Sequence, residues 1–331
     1  MSRSTAHQGR NRWVSAVGEY IGMLLVLGTL AAVFGSLSDR FLTLPTLTTL
    51  VNQIPALTMV AVGMTFVLIT GGIDLSVGSV TALCASVVGV LMVDRGWSVW
   101  SAVPVGILAG AICGLINGSV SVLAGIPSFI VTLGVLEIAR GAARLITDSQ
   151  TKFIGAAIAP IGARIDGLGV SPAFIAAAIG VLCAQVVLRR TLFGRYCTAI
   201  GFNETVVKYS GIDPRWTRIA AFIVCGSLAG AAGVIEASRL EVADSNAAIG
   251  FELSAIAAAV IGGTSLMGGR GSMINTFFGV LIIAVLQTGL AHLGVREGTK
   301  GMITGSVIVA AVLLDATRGR LRTFAARSRR E

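Results

Sequence analysis

Leu50 to Met92 reads LVNQIPALTMVAVGMTFVLITGGIDLSVGSVTALCASVVGVLM, forty-three residues with a single charged side chain, Asp74. Two apolar runs, 50–70 and 75–92, meet at Gly71-Gly72-Ile73-Asp74, and each is close to the roughly 20 residues a helix needs to cross a hydrocarbon core. Outward from this stretch, similar runs fall at 17–37, 100–124, 127–147, 171–189, 217–237, 253–267, 272–292 and 300–317. The expected fold is therefore an all-α polytopic membrane protein of about ten transmembrane helices. The pair meeting at Asp74 and the short eighth run are the two places where a broken or re-entrant helix is the alternative. The division is a basic N-terminal segment 1–16, a transmembrane domain 17–317 with a cytoplasmic loop at about 190–217, and a basic tail 318–331.

Composition agrees. The chain of 331 residues is 54% hydrophobic and 12% charged, against about 25% charged for a soluble domain, so a water-soluble fold could not cover its surface. Forty-two glycines favour helices that touch backbone to backbone, as membrane helices do where small residues line their contacts. The net charge of +9 would suggest nucleic acid if it formed a patch on a polar domain. Here the basic residues sit between apolar runs, and no nucleic-acid partner is expected. Cys84, Cys113, Cys183, Cys197 and Cys225 show no CxxC or Cys/His spacing, and His7 and His292 stand alone; neither a disulfide framework nor a metal site is expected. The first run is too long for a signal-peptide core, and an uncleaved first helix is the reading.

Two starts carry local signals. Ser171-Pro172 reads as an N-cap followed by proline at the first helical position, and Gly125-Ile126-Pro127 similarly opens the fifth run. Orientation follows from Lys and Arg loop by loop. With the N-terminus inside, sixteen of the 25 fall on the cytoplasmic side, six of them between spans six and seven (Arg189, Arg190, Arg195, Lys208, Arg215, Arg218) and six in the tail. Both termini are expected in the cytoplasm.

Three segments carry the functional expectation. In the long cytoplasmic loop, Asn203 suits an N-cap, Glu204 favours the positive helix start, and Gly211 suits a C-terminal stop, so a two-turn helix fits between them. So short a helix is marginal alone in water; Val206, Val207 and Tyr209 give it apolar material to lay on the membrane surface or on a cytoplasmic partner. In Gly71–Ser79, Asp74 costs too much to face lipid at a helix centre. It either caps the third helix while Gly71 and Gly72 allow the reversal, or joins Ser76 in a solute pathway or its gate. In Ile261–Ser272, Gly263 and Gly268 lead to Gly269-Arg270 and not to the Gly-Lys-[Ser/Thr] of a phosphate loop. The segment reads as a tight helix-to-helix turn with Thr264 and Ser265 near a translocation path. Asn117, Gln185, Asn275 and Gln287 lie within the spans; each either lines a path for a hydroxyl-rich solute or bonds one helix to another.

In content and order these segments resemble the membrane-spanning permease of ribose-type ATP-binding-cassette importers, a fold of the ribose and branched-chain amino acid type, from about Pro45 to Leu314. The most specific stretches are Gly71–Ser79, Ile126–Gly134, Asn203–Ile212 and Ile256–Gly271. The resemblance implies a permease of the bacterial inner membrane for a monosaccharide or related small polar solute. It implies pairing with a second permease copy, a cytoplasmic ATPase that binds the ATP, a periplasmic solute-binding protein, and no cofactor in this chain. It assigns Asn203, Glu204, Val206, Val207, Lys208, Tyr209 and Gly211 to coupling with the ATPase. The chain departs from the family at Ser254, where members usually carry an acidic residue before Ala-Ile-Ala. An intramembrane enzyme would need paired acids or a Ser/His pair, and Asp74 and His292 have no such companions; no catalytic residue is expected. A lone secondary transporter would couple through intramembrane carboxylates, of which there are too few.

Overall fold

The computed structural model describes residues 21–296 and 298–307, with 309, 310 and 313 beyond them. The basic segment 1–16, the tail 318–331 and parts of the first and tenth runs lie outside the described residues.

Each apolar run falls on a helix. In chain order these are α1 (Ile21–Leu37), α2 (Leu44–Ile69), α3 (Val77–Val93), α4 (Val99–Leu123), α5 (Ser128–Ile146), the one-turn α6 (Ala159–Gly162), α7 (Pro172–Arg190), α8 (Leu192–Tyr209), α9 (Pro214–Leu240), α10 (Phe251–Ile261), α11 (Met273–His292) and α12 (298–307). Five of them, α2, α4, α7, α9 and α11, are long and apolar enough to cross a membrane. Among the described residues the β-structure is one antiparallel ladder of two residues a side, β1 (Lys152–Phe153) with β2 (Val242–Ala243).

Helix starts follow local chemistry. Ser171 accepts a bond from the Phe174 N–H at 3.3 Å and Pro172 takes the first position of α7. Pro127 instead occupies the N-cap of α5, with Ser128 first in the helix. The second run begins earlier than hydropathy predicts, at Leu44 with Pro45 in the first turn, and Pro55 is carried inside the helix.

The eighth run departs most from a simple crossing. α10 has eleven residues, about 16 Å at 1.5 Å per residue, roughly half a hydrocarbon core of about 30 Å. The segment before it accounts for the rest. Ala243 lies against Gly89 on α3, while the Ala248 carbonyl and Glu252 lie against Gly78 on the same helix. Eleven residues of α3 separate those two contacts, so the chain descends about 16 Å before α10 begins. α10 is a half-helix reached by a re-entrant strand of backbone, the alternative that the short run had left open.

Helix α2 occupies the centre and is mostly buried, with α9 and α11 beside it, whereas α4 and α7 turn most of their surface outward. Leu108, Ile112, Leu115 and Ile116 on α4 and Ile179, Leu182 and Val186 on α7 are exposed, the arrangement that lipid permits and water does not. The most extensive helix pair is α4 with α9. Its seam is made of glycine: Gly106, Gly110, Gly114 and Gly118 recur every four residues, and a Cβ on Gly110 would collide with the Gly226 carbonyl, as one on Gly226 would with Gly110. Lipid is as apolar as leucine, so close van der Waals packing of backbones supplies the association here.

Candidate functional site

At one end of the bundle, α2 closes in a Schellman motif. The Gly71 N–H donates to the Leu68 carbonyl at 2.9 Å and the Gly72 N–H to the Val67 carbonyl at 3.0 Å, with Gly71 at φ +80°, a value glycine adopts without a Cβ penalty. The chain then passes through Asp74 to α3. α5 satisfies its exposed backbone: the Ile73 N–H donates to Ser128 Oγ at 2.9 Å and the Leu75 N–H to Thr132 Oγ1 at 3.0 Å.

Asp74 is buried, only 1% exposed. Its Oδ1 accepts from the Ser76 N–H at 3.0 Å and from the Ser76 hydroxyl at 2.6 Å. Asn117 of α4 donates from Nδ2 to Ser76 Oγ at 2.8 Å and lies 3.3 and 3.4 Å from the two Asp74 carboxylate oxygens. The expected cap on α3 takes a different form. Ser76 stands at the N-cap without a side-chain cap bond, and Asp74 closes a turn one step earlier, because the donors within reach are Ser76 and Asn117. The result ties the α2–α3 junction to α4. Asn117 Oδ1 is buried without a hydrogen-bond partner among the described residues.

The cytoplasmic-loop segment is helical over more of its length than expected. α8 runs from Thr191, which accepts from the Gly194 N–H at 3.3 Å, to Tyr209, and Asn203 interrupts it with φ −162° and ψ 100°. Asn203 Oδ1 then accepts from the Val206 N–H at 3.1 Å, the expected N-cap of a second helical piece. Glu204 pairs with Lys208 at 2.8 Å and with Arg218 of α9 at 3.2 Å. Gly211, at φ +80°, ends the piece in another Schellman motif, its N–H donating to Lys208 and that of Ile212 to Val207. One expectation is corrected: Val207 is buried and presents nothing outward, lying one turn from Glu204, whose pair with Arg218 holds this piece against α9. Phe202, Val206 and Tyr209 are the exposed apolar side chains, with Trp216 nearby in sequence.

The first half of α8 sits directly on the end of α2. A Cβ on Gly201 would collide with the Ile69 carbonyl and the Gly269 N–H, and the Gly269 N–H itself donates to that Ile69 carbonyl at 2.9 Å. Three backbones therefore meet with no side chain between them. Gly201 lies just before the residues that motif reading singled out; Ile69 looked like any other apolar residue.

The segment between α10 and α11 is a folded loop of eleven residues rather than a tight turn. The Ser265 N–H donates to the Arg270 carbonyl at 3.0 Å, and Gly268 back to Ser265 at 3.2 Å. Thr264 and Ser265 are buried, and Thr264 Oγ1 has no hydrogen-bond partner among the described residues. Asn275 is buried in the first turn of α11, where Ser272 caps its N–H. Gln185 on α7 accepts from the Met273 N–H at 2.9 Å, bonding helix to helix, and Gln287 is exposed. Asp74, Ser76, Asn117, Thr264, Ser265 and Asn275 thus all lie inside the protein, in two groups: three at the α2–α3 junction and three around the loop before α11.

Residues 46–312 match the family model described as branched-chain amino acid transport system / permease component. The chain is 36% identical over 303 residues to the ribose import permease protein of Escherichia coli (strain K12), covering 88% of this chain and 92% of that one. It is 35% identical over 301 residues to the D-allose transport system permease protein of the same strain, covering 89% and 90%. It is 33% identical over 322 residues to the autoinducer 2 import system permease protein of Enterobacter sp. (strain 638), covering 97% and 90%. No solved structure matches. A multi-pass helical chain with this match over most of its length belongs to the branched-chain amino acid transport system / permease component family.

Proposed function

We propose that this chain is the membrane-spanning permease subunit of an ATP-binding-cassette importer that brings a monosaccharide across the bacterial inner membrane. The observation that carries the coupling half of this reading is the junction of Gly201, Ile69 and Gly269. It joins a surface of exposed Phe202, Val206 and Tyr209 to the end of the central helix without any compliant side chain between. A cytoplasmic ATPase docks on that surface and holds the ATP; this chain supplies no nucleotide site. Displacement of α8 then moves Ile69, and with it the Asp74–Ser76–Asn117 knot, which acts as a gate fixture between α2, α4 and α5. Packed helices switch between discrete arrangements, so a backbone junction transmits such a step better than a rotamer-rich contact. Two copies of the chain pair around the path, a periplasmic binding protein delivers the solute, and both termini lie in the cytoplasm. The sugar assignment draws on relatives named for ribose and D-allose; the family description names branched-chain amino acids.

The test is ATP-dependent uptake in proteoliposomes containing this chain, its ATPase and its binding protein, with labelled D-ribose, D-allose and L-leucine as probes. Sugar uptake is expected; leucine uptake without sugar uptake would overturn the solute class. Gly201→Ala is expected to leave ATP hydrolysis by the assembled complex measurable while uptake falls about tenfold, because the added methyl collides with backbone that cannot yield by a rotamer change. Tyr209→Asp is expected to weaken ATPase docking itself, read by co-purification.

A further inference from the structure

α5 starts beside the Asp74 junction, bonded there through Ser128 and Thr132, and finishes beside the re-entrant segment, where Arg144 donates to Asn246 at 3.1 Å. Glu137 is the midpoint of this helix of nineteen residues, about 13 Å from either end. It is exposed. No hydrogen bond or ion pair holds it among the described residues. Arg140, one turn away, forms no ion pair with it: its Nη1 donates to the carbonyls of Ser245 and Ala247 at 2.8 and 2.9 Å, pinning the descending backbone that leads to α10. A carboxylate half way along a helix of the membrane domain, with no hydrogen bond to the protein, does not rest against lipid; it faces water or a polar partner.

The face around it is built open. Gly134, Glu137, Gly141 and Arg144 recur at helical spacing, i, i+3, i+7 and i+10, on one side of α5. A Cβ on Gly134 or Gly141 would meet nothing within 4 Å. Gly110, Gly114 and Gly118 of the α4–α9 seam press on backbone; these two face open space. The pinned segment leads into the first turn of α10, where Leu253 and the preceding Ile249 are exposed.

We propose that this face of α5, with the first turn of α10, lines the wet route of the solute, and that the Glu137 carboxylate accepts hydrogen bonds from its hydroxyl groups. The inference rests on the permease reading above, and it places the solute's polar contacts on a residue outside the motifs of the family resemblance. A carboxylate suits a sugar because it offers acceptor lone pairs to adjacent hydroxyls. Leu133, Ile138 and Leu145, exposed beside it, flank the route as its apolar margin.

The experiment uses the full transporter in membrane vesicles, with exposed Cys183 replaced by serine. Glu137→Cys, Gly141→Cys and, as a lipid-facing control on α7, Val186→Cys are treated with 2-sulfonatoethyl methanethiosulfonate. Glu137→Cys and Gly141→Cys are expected to label, and more slowly by about tenfold when D-ribose or D-allose, whichever the unsubstituted protein imports, is saturating; Val186→Cys is expected to stay unlabelled. In uptake, Glu137→Leu is expected to lose about tenfold and Glu137→Gln less, since the amide retains one acceptor, while Val186→Ala on α7, away from the route, stays within about twofold. Glu137→Cys that resists the reagent while the unsubstituted protein imports sugar would overturn the proposal, as would labelling that saturating sugar leaves unchanged. An unsubstituted protein that imports no sugar would sink the sugar reading and the carboxylate's role in it. Labelling is read independently of import, so the two failures are distinguishable.

Discussion

Two carboxylates on neighbouring apolar segments have opposite surroundings. Asp74 is enclosed and takes its hydrogen bonds from Ser76 and Asn117, whereas Glu137, on the helix that braces the Asp74 junction, stands open with no protein donor among the described residues. Removing charge from bulk water is expensive, and only fixed dipoles or water at the site offset it. Asp74 uses dipoles, so its role is to hold α2, α3 and α4 in one arrangement. Glu137 has no such dipoles around it, and on the proposed route solute hydroxyls take their place.

The largest expected effect breaks the enclosed member of the pair. Asp74→Leu leaves the Ser76 N–H and hydroxyl and the Asn117 amide without their acceptor, and thermal unfolding in detergent should report a loss of about 3 kcal/mol. Asp74→Asn keeps an acceptor oxygen and should lose only about 1 kcal/mol. If the two substitutions proved equal, the hydrogen-bonded enclosure would not be what the carboxylate provides.

A smaller loss should follow from unbracing the same junction. Ser128→Ala and Thr132→Val each strip the acceptor from a backbone N–H, of Ile73 and Leu75 respectively, at about 1 kcal/mol apiece. The two sites serve one short segment, so the double variant should depart from the sum of the singles. Strict additivity would show that the residues act separately.

At the open member, Glu137→Gln should shift unfolding by no more than about 0.5 kcal/mol even where uptake falls. A stability loss as large as that of Asp74→Asn would erase the distinction. The smallest effect belongs to the surface of α8. Glu204→Gln gives up pairs with Lys208 and Arg218 that are partly exposed, worth about 0.5 kcal/mol in all, and a screen in high salt should reduce even that.

Much of this was legible in sequence because membrane helices obey a length rule that side-chain packing barely alters. The runs at 50–70, 100–124 and 171–189 each found a helix, and Ser171, Asn203 and Gly211 announced helix ends through chemistry that acts within four residues. The site was less legible for the same reason. Val207 looked like contact surface, and only its burial in the folded chain shows otherwise. Glycines 106, 110, 114 and 118 carry their spacing openly, yet spacing alone does not say which glycines press on a neighbouring helix and which, like Gly134 and Gly141, face open space.

The sequence by itself determined that this chain crosses a bilayer many times, where most helices begin and end, and which segments resemble a permease. These follow from transfer free energy and local hydrogen bonding, which depend on neighbours in the chain. Only the tertiary structure decided that α10 is a half-helix hung from Arg140, that Gly201 rests on the end of α2, and which carboxylate is enclosed and which is open. Those depend on residues up to two hundred positions apart being brought within hydrogen-bond distance, and no local pattern encodes that.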